Sequence, residues 1–219
     1  LRIEIQKLEP FVVSLESEPN ESSTLTVIIK YNLDLTMFDG KVVNALTSTT
    51  SSQSCNVCSA KPTEMNDIKL IRSQPVNKEA SFFGLSHLHC CIGCSAYNLH
   101  LGYKLKIRSF YAKTSVQKES VKERKAIIQK RFREELSLIV DMPKQGFGNT
   151  NDGNTARRAF EESNTFSEIT GVDVDIISRL KTILKAVCSG YDLDPSSFQQ
   201  YCNDTTDIVL SEYNWYVIP

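Results

Sequence analysis

The sequence predicts an α+β fold, with β-strands in the N-terminal third of the chain and helices in the remainder. β-Branched residues are concentrated in the first fifty positions, and past Pro75 the apolar residues recur at the three- and four-residue spacing of amphipathic helices. The change in composition falls between Ile68 and Phe83, so we expect two regions, 1–75 and 76–219. With 219 residues, of which 41% are hydrophobic and 23% charged, the chain is long enough to bury a core.

The first region contains the strand signals. Residues 24–31 read as a buried strand, and a second extended run at 33–38 ends at Asp39, which precedes a glycine. Residues 41–47 hold enough apolar side chains for either a short helix or a strand. The serine- and threonine-rich segment 48–54 is predicted to be a loop.

The second region contains the helix signals, which come from apolar spacing and from capping residues. A glycine- and asparagine-rich stretch at 146–153 interrupts the series. The predicted helices span 95–107 and 117–139, and further helices begin near Asp152, at a cap formed by Asp173 or Asp175, and at Asp194 with Pro195 in the first helical position.

Charge and cysteine content limit the possible compartment and partners. The chain has 25 lysines and arginines against 26 acidic residues, so a contact with nucleic acid would need a local cluster of basic residues. Seven unevenly spaced cysteines do not match the disulfide framework of a small secreted domain. No apolar stretch reaches the roughly 20 residues that span a bilayer, and the first residues are too charged for a signal sequence. We therefore expect an intracellular protein with no membrane partner.

Cys55 and Cys58 are separated by two residues, the spacing at which two thiolates on one tight turn bind the same tetrahedral zinc ion. A complete site needs a second pair of ligands. Two alternatives remain, namely two incidental thiols and a redox pair, although no βαβ unit follows as a thioredoxin-like fold requires. The nearby candidates for the second pair are His87, His89, Cys90, Cys91 and Cys94.

Asp39 ends an extended run and precedes a glycine, a pattern with two interpretations. Both residues suit turn dihedrals, so the pair is typical of a β-turn. A carboxylate at the C-terminal end of a strand is also a common ligand of hard cations. The local pattern leaves both interpretations open.

Two stretches of the second region are candidates for phosphate contacts. The loop that begins at 146 runs into a helix with Arg157 and Arg158, whose charges could bind a phosphate together with the helix N-terminus. An ordinary capped loop is the alternative. The preceding helix is locally basic, which a solvated helix face explains equally well. Its candidate residues are Lys122, Arg124 and Lys125.

The segment 87–94 contains two of the three histidines and three of the seven cysteines. It could bind a metal, but helix-like residues on both sides favour buried thiols and hydrogen-bonded histidines. Nucleophilic catalysis by one of these cysteines would need an adjacent imidazole and a lowered thiol pKa.

Taken in order, the motifs resemble one known family. They are TMFDGKV at 36–42, CNVC at 55–58, LHCCIG at 88–93, KERK at 122–125 and NDGNTARR at 151–158. Their order and spacing resemble the catalytic subunit of the V(D)J recombinase and the related Transib-type DDE transposases, over about residues 25–219. The likeness is closer to the invertebrate, transposon-derived branch, and the cysteine-rich stretch at 90–94 departs from that family's usual residues.

This resemblance implies a partial RNase H-like catalytic core over 1–75 and a helical insertion region, tethered by zinc, over 76–219. Asp39 matches the middle one of three carboxylates that bind two Mg²⁺ (or Mn²⁺) ions for DNA nicking and strand transfer. Cys55 and Cys58 match the cysteine half of the family's zinc (Zn²⁺) site. We expect the two histidines of that site and the catalytic glutamate beyond the last residue, and the first aspartate before the first, so that the chain is a piece of a longer protein.

The implied partner is DNA, in a nuclear protein. We expect mainly phosphate contacts, which position a duplex without reading its sequence. The full-length protein is expected to form a homodimer, with an accessory recombinase subunit as a further partner. The rival interpretations are a non-catalytic, zinc-stabilised module that binds DNA or protein, and the product of a decayed element. The residues expected to contact DNA are Lys122, Arg124, Lys125, Arg157 and Arg158.

Overall fold

Strands and helices are both present, with the strands first and the helices in the majority. The computed structural model describes residues 9–16, 24–29, 40–47, 51, 54–84, 86–146 and 148–217. The described elements are β1 (Phe11–Glu16), β2 (Thr24–Ile29), α1 (Gly40–Leu46), α2 (Ile68–Ser73), α3 (Lys78–Phe82), α4 (His87–Lys104), α5 (Ser115–Leu136), α6 (Gly153–Glu161), α7 (Ser163–Thr170), α8 (Val174–Val187) and α9 (Pro195–Tyr213).

The two strands form an antiparallel hairpin, with Phe11 opposite Ile29 and Glu16 opposite Thr24. Neighbouring residues of a strand point to opposite faces, and the neighbours Phe11 and Val12 are 59% and 56% exposed. The hairpin therefore presents apolar side chains on both faces. The predicted strand at 24–31 is confirmed as far as Ile29, whereas the extended run at 33–38 and Asp39 lie outside the described residues.

The segment at 41–47, for which the sequence allowed a helix or a strand, belongs to helix α1. The helix predicted at 95–107 starts eight residues earlier, at His87, because the cysteine-rich segment is itself helical. The Ser86 side chain caps its N-terminus by accepting a hydrogen bond from the His89 N–H.

Helix α4 is the centre of the helical region, since it packs against α5, α6, α7 and α8. Its side chains Leu99 and Leu101 are buried. Phe132 of α5 and Phe166 of α7 meet edge to face, with ring centroids 5.3 Å apart. The core therefore lies between α4 and the helices that follow it along the chain.

Local capping rules identify the starts of three helices. Asp152, Asp173 and Asp194 each accept a hydrogen bond from a backbone N–H in the first turn of α6, α8 and α9, and Pro195 is the first residue of α9. These predicted starts are confirmed. Helices α2, α3 and α7 were not predicted, because each is short and shows too few apolar repeats.

The Arg124 guanidinium connects three helices. From α5, its Nε donates to the carbonyl of Gly102 on α4 at 3.2 Å, and its Nη2 donates to the carbonyl of Thr170 on α7 at 2.8 Å. At position 102 a Cβ atom would lie 2.9 Å from Thr170 Cβ, so glycine is required for α4 and α7 to approach this closely. Gly171 follows with φ +75°, the left-handed conformation that ends α7.

We expect Gly102→Ala to lower the free energy of unfolding by about 1–3 kcal/mol, because the added methyl group must displace the backbone of α7. Gly93→Ala on the same helix is the matched control, since a Cβ there meets nothing within 4 Å. The control should be neutral or stabilise by about 0.5–1 kcal/mol, the usual gain from alanine in a helix. Urea denaturation of both variants measures the difference, and equal stabilities would contradict the close approach.

Candidate functional site

The Cys55–Cys58 pair lies on a tight turn closed by backbone hydrogen bonds. The Cys55 N–H donates to the Ala60 carbonyl at 2.9 Å, and the Ser59 N–H donates to the Cys55 carbonyl at 2.7 Å. Ser59 has φ +61°, the left-handed conformation that reverses the chain after the second cysteine. The Asn77 N–H donates to the Val57 carbonyl at 2.7 Å, which ties the turn to the start of α3.

The Cys55 thiol lies close enough to Cys58 to influence its ionisation. Burial raises the pKa of the Cys58 thiol and the neighbouring Cys55 thiol raises it further, whereas the Ala60 N–H lowers this pKa by stabilising the thiolate. A divalent cation bound between the sulfurs would remove the mutual repulsion of two thiolates. The donor set therefore fits one half of a tetrahedral zinc site.

The described residues contain no group of three or more His, Cys, Asp or Glu side chains placed to hold a metal ion. The segment 87–94 therefore does not complete the site at Cys55 and Cys58. In that segment His87 Nε2 lies 3.2 Å from the sulfur of buried Cys91, and His89 Nδ1 lies 2.8 Å from the Ser86 hydroxyl. This geometry agrees with buried thiols and hydrogen-bonded histidines.

The chain that follows the thiol turn is bound to the C-terminal part of the helical region. Asn66 Nδ2 donates to the carbonyls of Asn214 at 3.0 Å and Tyr216 at 2.9 Å. The Tyr216 ring in turn packs against Tyr97 of α4, with centroids 5.5 Å apart, and lies under the Lys104 ammonium. Sequence reasoning missed this contact because Asn66 is remote in sequence from both partners.

The three basic residues predicted on α5 lie in different environments. Lys122 is exposed and forms an ion pair with Glu119 at 3.3 Å. Lys125 pairs with Asp141 at 2.5 Å, and Arg124 donates to the two carbonyls described above. Among these three, Lys122 extends furthest into solvent.

Arg157 and Arg158 are both exposed on α6 but open onto different cavities. Arg157 lines a cavity with Cys91, whereas Arg158 lies beside Glu135 and donates to the Leu136 carbonyl at 3.3 Å. The structure therefore does not bring the two arginines to one point.

The N-terminus of α6 is capped by its own chain. The Asp152 carboxylate accepts the Thr155 N–H at 2.9 Å, a hydrogen bond that lowers the pKa of Asp152, and Lys144 lies 3.5 Å away. This is the geometry of an ordinary capped loop, the alternative that the sequence left open.

Asp141 organises the loop before α6, a role that sequence reasoning missed. Its backbone has φ +50°, and its carboxylate lies near both Lys125 and His100 Nε2, the latter at 3.7 Å. The Asp141 N–H donates to Asn151 Oδ1 at 2.7 Å. Burial lowers the pKa of His100, although the Asp141 charge acts in the opposite direction. Aspartate tolerates this backbone conformation better than most residues, but no sequence pattern indicated its partners.

The sequence matches no protein-family model and no curated protein. Within the described ranges, none of the helices is long and apolar enough to cross a membrane.

Cobalt binding tests the thiol turn. Titration of Co²⁺ into the reduced chain should produce a thiolate-to-cobalt charge-transfer absorption that Cys55→Ser abolishes, because both sulfurs are needed as ligands. Cys202→Ser, which changes a half-buried thiol of α9, is the matched control and should retain the band. Zinc should be lost on dialysis against a chelator, since the described residues supply two of the four ligands. A band that persists in the Cys55→Ser variant, or one tightly held zinc per chain, would contradict this assignment.

Proposed function

We propose that the chain is part of a DDE-type recombinase or transposase that binds DNA and zinc. In this proposal the full-length protein is nuclear, acts as a homodimer and nicks and transfers DNA strands with Mg²⁺ or Mn²⁺. The observation that carries the proposal is the thiol turn. Cys55 and Cys58 lie on one tight turn, at the point of the chain where the motif order of this family places the cysteine half of its zinc site.

The hairpin supports an RNase H-like core at the N-terminal region. A two-stranded hairpin is marginally stable by itself, and this one exposes Phe11, Val12 and Ile28. Apolar residues on both faces of a strand pair are typical of a larger sheet with a layer on each side. In the proposal these strands belong to the catalytic sheet, and α4 to α9 form the helical insertion.

Asp39 is the proposed ligand of the catalytic metal. When bound, the divalent ions would supply a Lewis acid for the attack on a phosphodiester. Asp39 lies outside the described residues, directly before α1. Its role therefore rests on the match of the motif around it.

DNA contact is assigned mainly to Lys122, Arg157 and Arg158, which are exposed. Arg124 and Lys125 are half-buried against their intramolecular partners, so in the proposal they act chiefly by positioning α5 and the loop at Asp141. Phosphates would bind these cations without base readout.

The second candidate is a non-catalytic module that binds DNA or protein and is stabilised by zinc. It requires only the thiol turn and exposed cations such as Lys122, Arg157 and Arg158, and none of the catalytic carboxylates. The two candidates share the thiol turn and differ in the need for Asp39.

DNA binding should depend on the adjacent residues Arg157 and Arg158. Relative to the wild-type chain, Arg157→Gln/Arg158→Gln should weaken duplex binding equally for unrelated sequences, because phosphate contacts carry no sequence information. The slope of log K against log salt is negative, and its magnitude should fall by about 2, since each phosphate contact contributes about 0.9. Fluorescence anisotropy over a salt series measures both quantities.

Lys106→Gln is the control for this measurement, because Lys106 is exposed and is not assigned to DNA. Its affinity and salt slope should match those of the wild type. Equal effects of the control and the arginine variant, or no detectable duplex binding by the wild-type chain, would contradict the DNA-binding assignment.

Asp39→Asn separates the two candidate functions. In the whole recombinase this change should abolish magnesium-dependent nicking of a supercoiled plasmid while DNA affinity stays unchanged, because it removes a metal ligand and no phosphate contact. Asn44, which is also polar and is half-buried on α1, provides the control variant Asn44→Ala, with nicking retained. Nicking that survives Asp39→Asn would refute the role of Asp39, and a wild-type protein that binds without nicking would support the non-catalytic module.

A further inference from the structure

A cavity of about 130 Å³ lies between α4, α6 and α8, away from the thiol turn at Cys55 and Cys58. Its floor is apolar, with Phe160 and Leu184 among the lining side chains. The polar and reactive groups at its wall and mouth are His87, Cys91, Arg157, Lys181, Lys185 and Cys188. Of the residues that line this cavity, the proposed function uses only Arg157, as a DNA contact.

The charged side chains that line the cavity have an excess of positive charge, and the exposed Arg157 and Lys185 among them mark its mouth. Arg157, Lys181 and Lys185 line the cavity, against one carboxylate, that of Glu161. Lys181 donates to the Glu161 carbonyl at 2.9 Å, and within the described part of the chain Arg157 and Lys185 form no ion pair. An anion that approaches the cavity is therefore attracted to its mouth.

Two thiols line the same cavity at different depths. Cys188 is exposed at the C-terminal cap of α8, with its sulfur 3.6 Å from the Lys185 carbonyl. Cys91 is buried on α4, and its sulfur lies 3.2 Å from His87 Nε2. After burial, the charge of Cys188 is the largest influence that raises the pKa of Cys91, while Arg157 lowers it. The two thiols therefore share one cavity, and the Cys188 side chain lies near enough to influence Cys91.

We propose that this cavity is a thiol–disulfide exchange site for small anionic disulfides of the glutathione disulfide class, with Cys188 as the attacking thiol and Cys91 as the resolving thiol. The cationic mouth selects for the carboxylates of the disulfide. The exposed Cys188 meets the reagent first, and Cys91 is reached only from within the cavity.

The exchange takes place in two balanced steps. The Cys188 thiolate, having lost its proton to solvent, attacks one sulfur of glutathione disulfide, so that a Cys188–glutathione disulfide forms and one glutathione leaves as a thiolate. Cys91 then gives its proton to His87 and attacks the Cys188 sulfur, which forms the Cys91–Cys188 disulfide and releases the second glutathione. In total the two protein thiols are oxidised and one glutathione disulfide is reduced to two glutathiones.

The charge preference of the first step is tested with two reagents, anionic glutathione disulfide and cationic cystamine. Mass spectrometry of the Cys188 peptide measures the rate at which each reagent forms a mixed disulfide there. This rate is divided by the rate for the same reagent in the urea-unfolded chain, and the ratio is free of the intrinsic reactivity of the reagent. We expect a higher ratio for glutathione disulfide, and the preference should decrease as salt is added. Equal ratios for the two reagents, or another cysteine that reacts first, would overturn the proposal.

A lysine variant tests the source of the preference. Lys185→Gln should lower the glutathione disulfide ratio about twofold, the effect of one exposed charge at close range. Lys118→Gln, an exposed lysine near the start of α5, is the matched control and should leave the ratio unchanged.

A cysteine variant tests the second step. In the wild type the end product should be the Cys91–Cys188 disulfide, whereas Cys91→Ser and Cys91→Ala should both accumulate the mixed disulfide on Cys188. Cys90→Ser, which changes the adjacent half-buried thiol, should behave as the wild type. A mixed disulfide that persists on the wild-type protein would refute the resolving role of Cys91. None of these outcomes depends on DNA binding or nicking, so the proposal stands or fails separately from the proposed function.

Discussion

The helical region depends on one charged group, the guanidinium of Arg124, which binds the carbonyls of Gly102 and Thr170. Both carbonyls lie near the C-terminal ends of their helices, where unpaired oxygens and the helix dipole favour a cation. The contact requires Gly102, because any Cβ would collide with Thr170, and it lies beside Gly171, whose left-handed backbone ends α7. A single hydrogen-bonded charge thus determines how closely α4, α5 and α7 approach one another.

Helix α4, which this contact holds in place, carries ionisable side chains near both of its ends. Its N-terminal half brings His87 and Cys91 to the cavity that also contains Cys188 of α8. Its C-terminal half places His100 beside Asp141, which organises the loop leading to α6. His87 and His100 lie about 20 Å apart along this helix, at 1.5 Å per residue, so each group of polar residues has its own environment.

Local rules predicted the starts of α8 and α9 because an aspartate that caps a helix interacts with residues in the same turn. The short helix α7 was missed for the opposite reason. Glu162 makes no side-chain cap for it, and its stability comes from contacts such as the Thr170 carbonyl with Arg124, which is distant in sequence. Composition likewise grouped Arg124 with the basic face of α5, although its guanidinium is directed into the structure.

The two thiol pairs illustrate the same limit on the prediction of sites. The turn of Cys55 and Cys58 is closed by hydrogen bonds within six consecutive residues, so the spacing of the two cysteines was sufficient to predict a tight turn. Cys91 and Cys188 belong to different helices and share a cavity because α4, α6 and α8 pack together around Phe160 and Leu184. No sequence spacing relates them. A site whose residues lie on one turn can therefore be predicted from their sequence spacing. A site formed by residues of different helices depends on how those helices pack, and the contacts of Arg124 contribute to that packing.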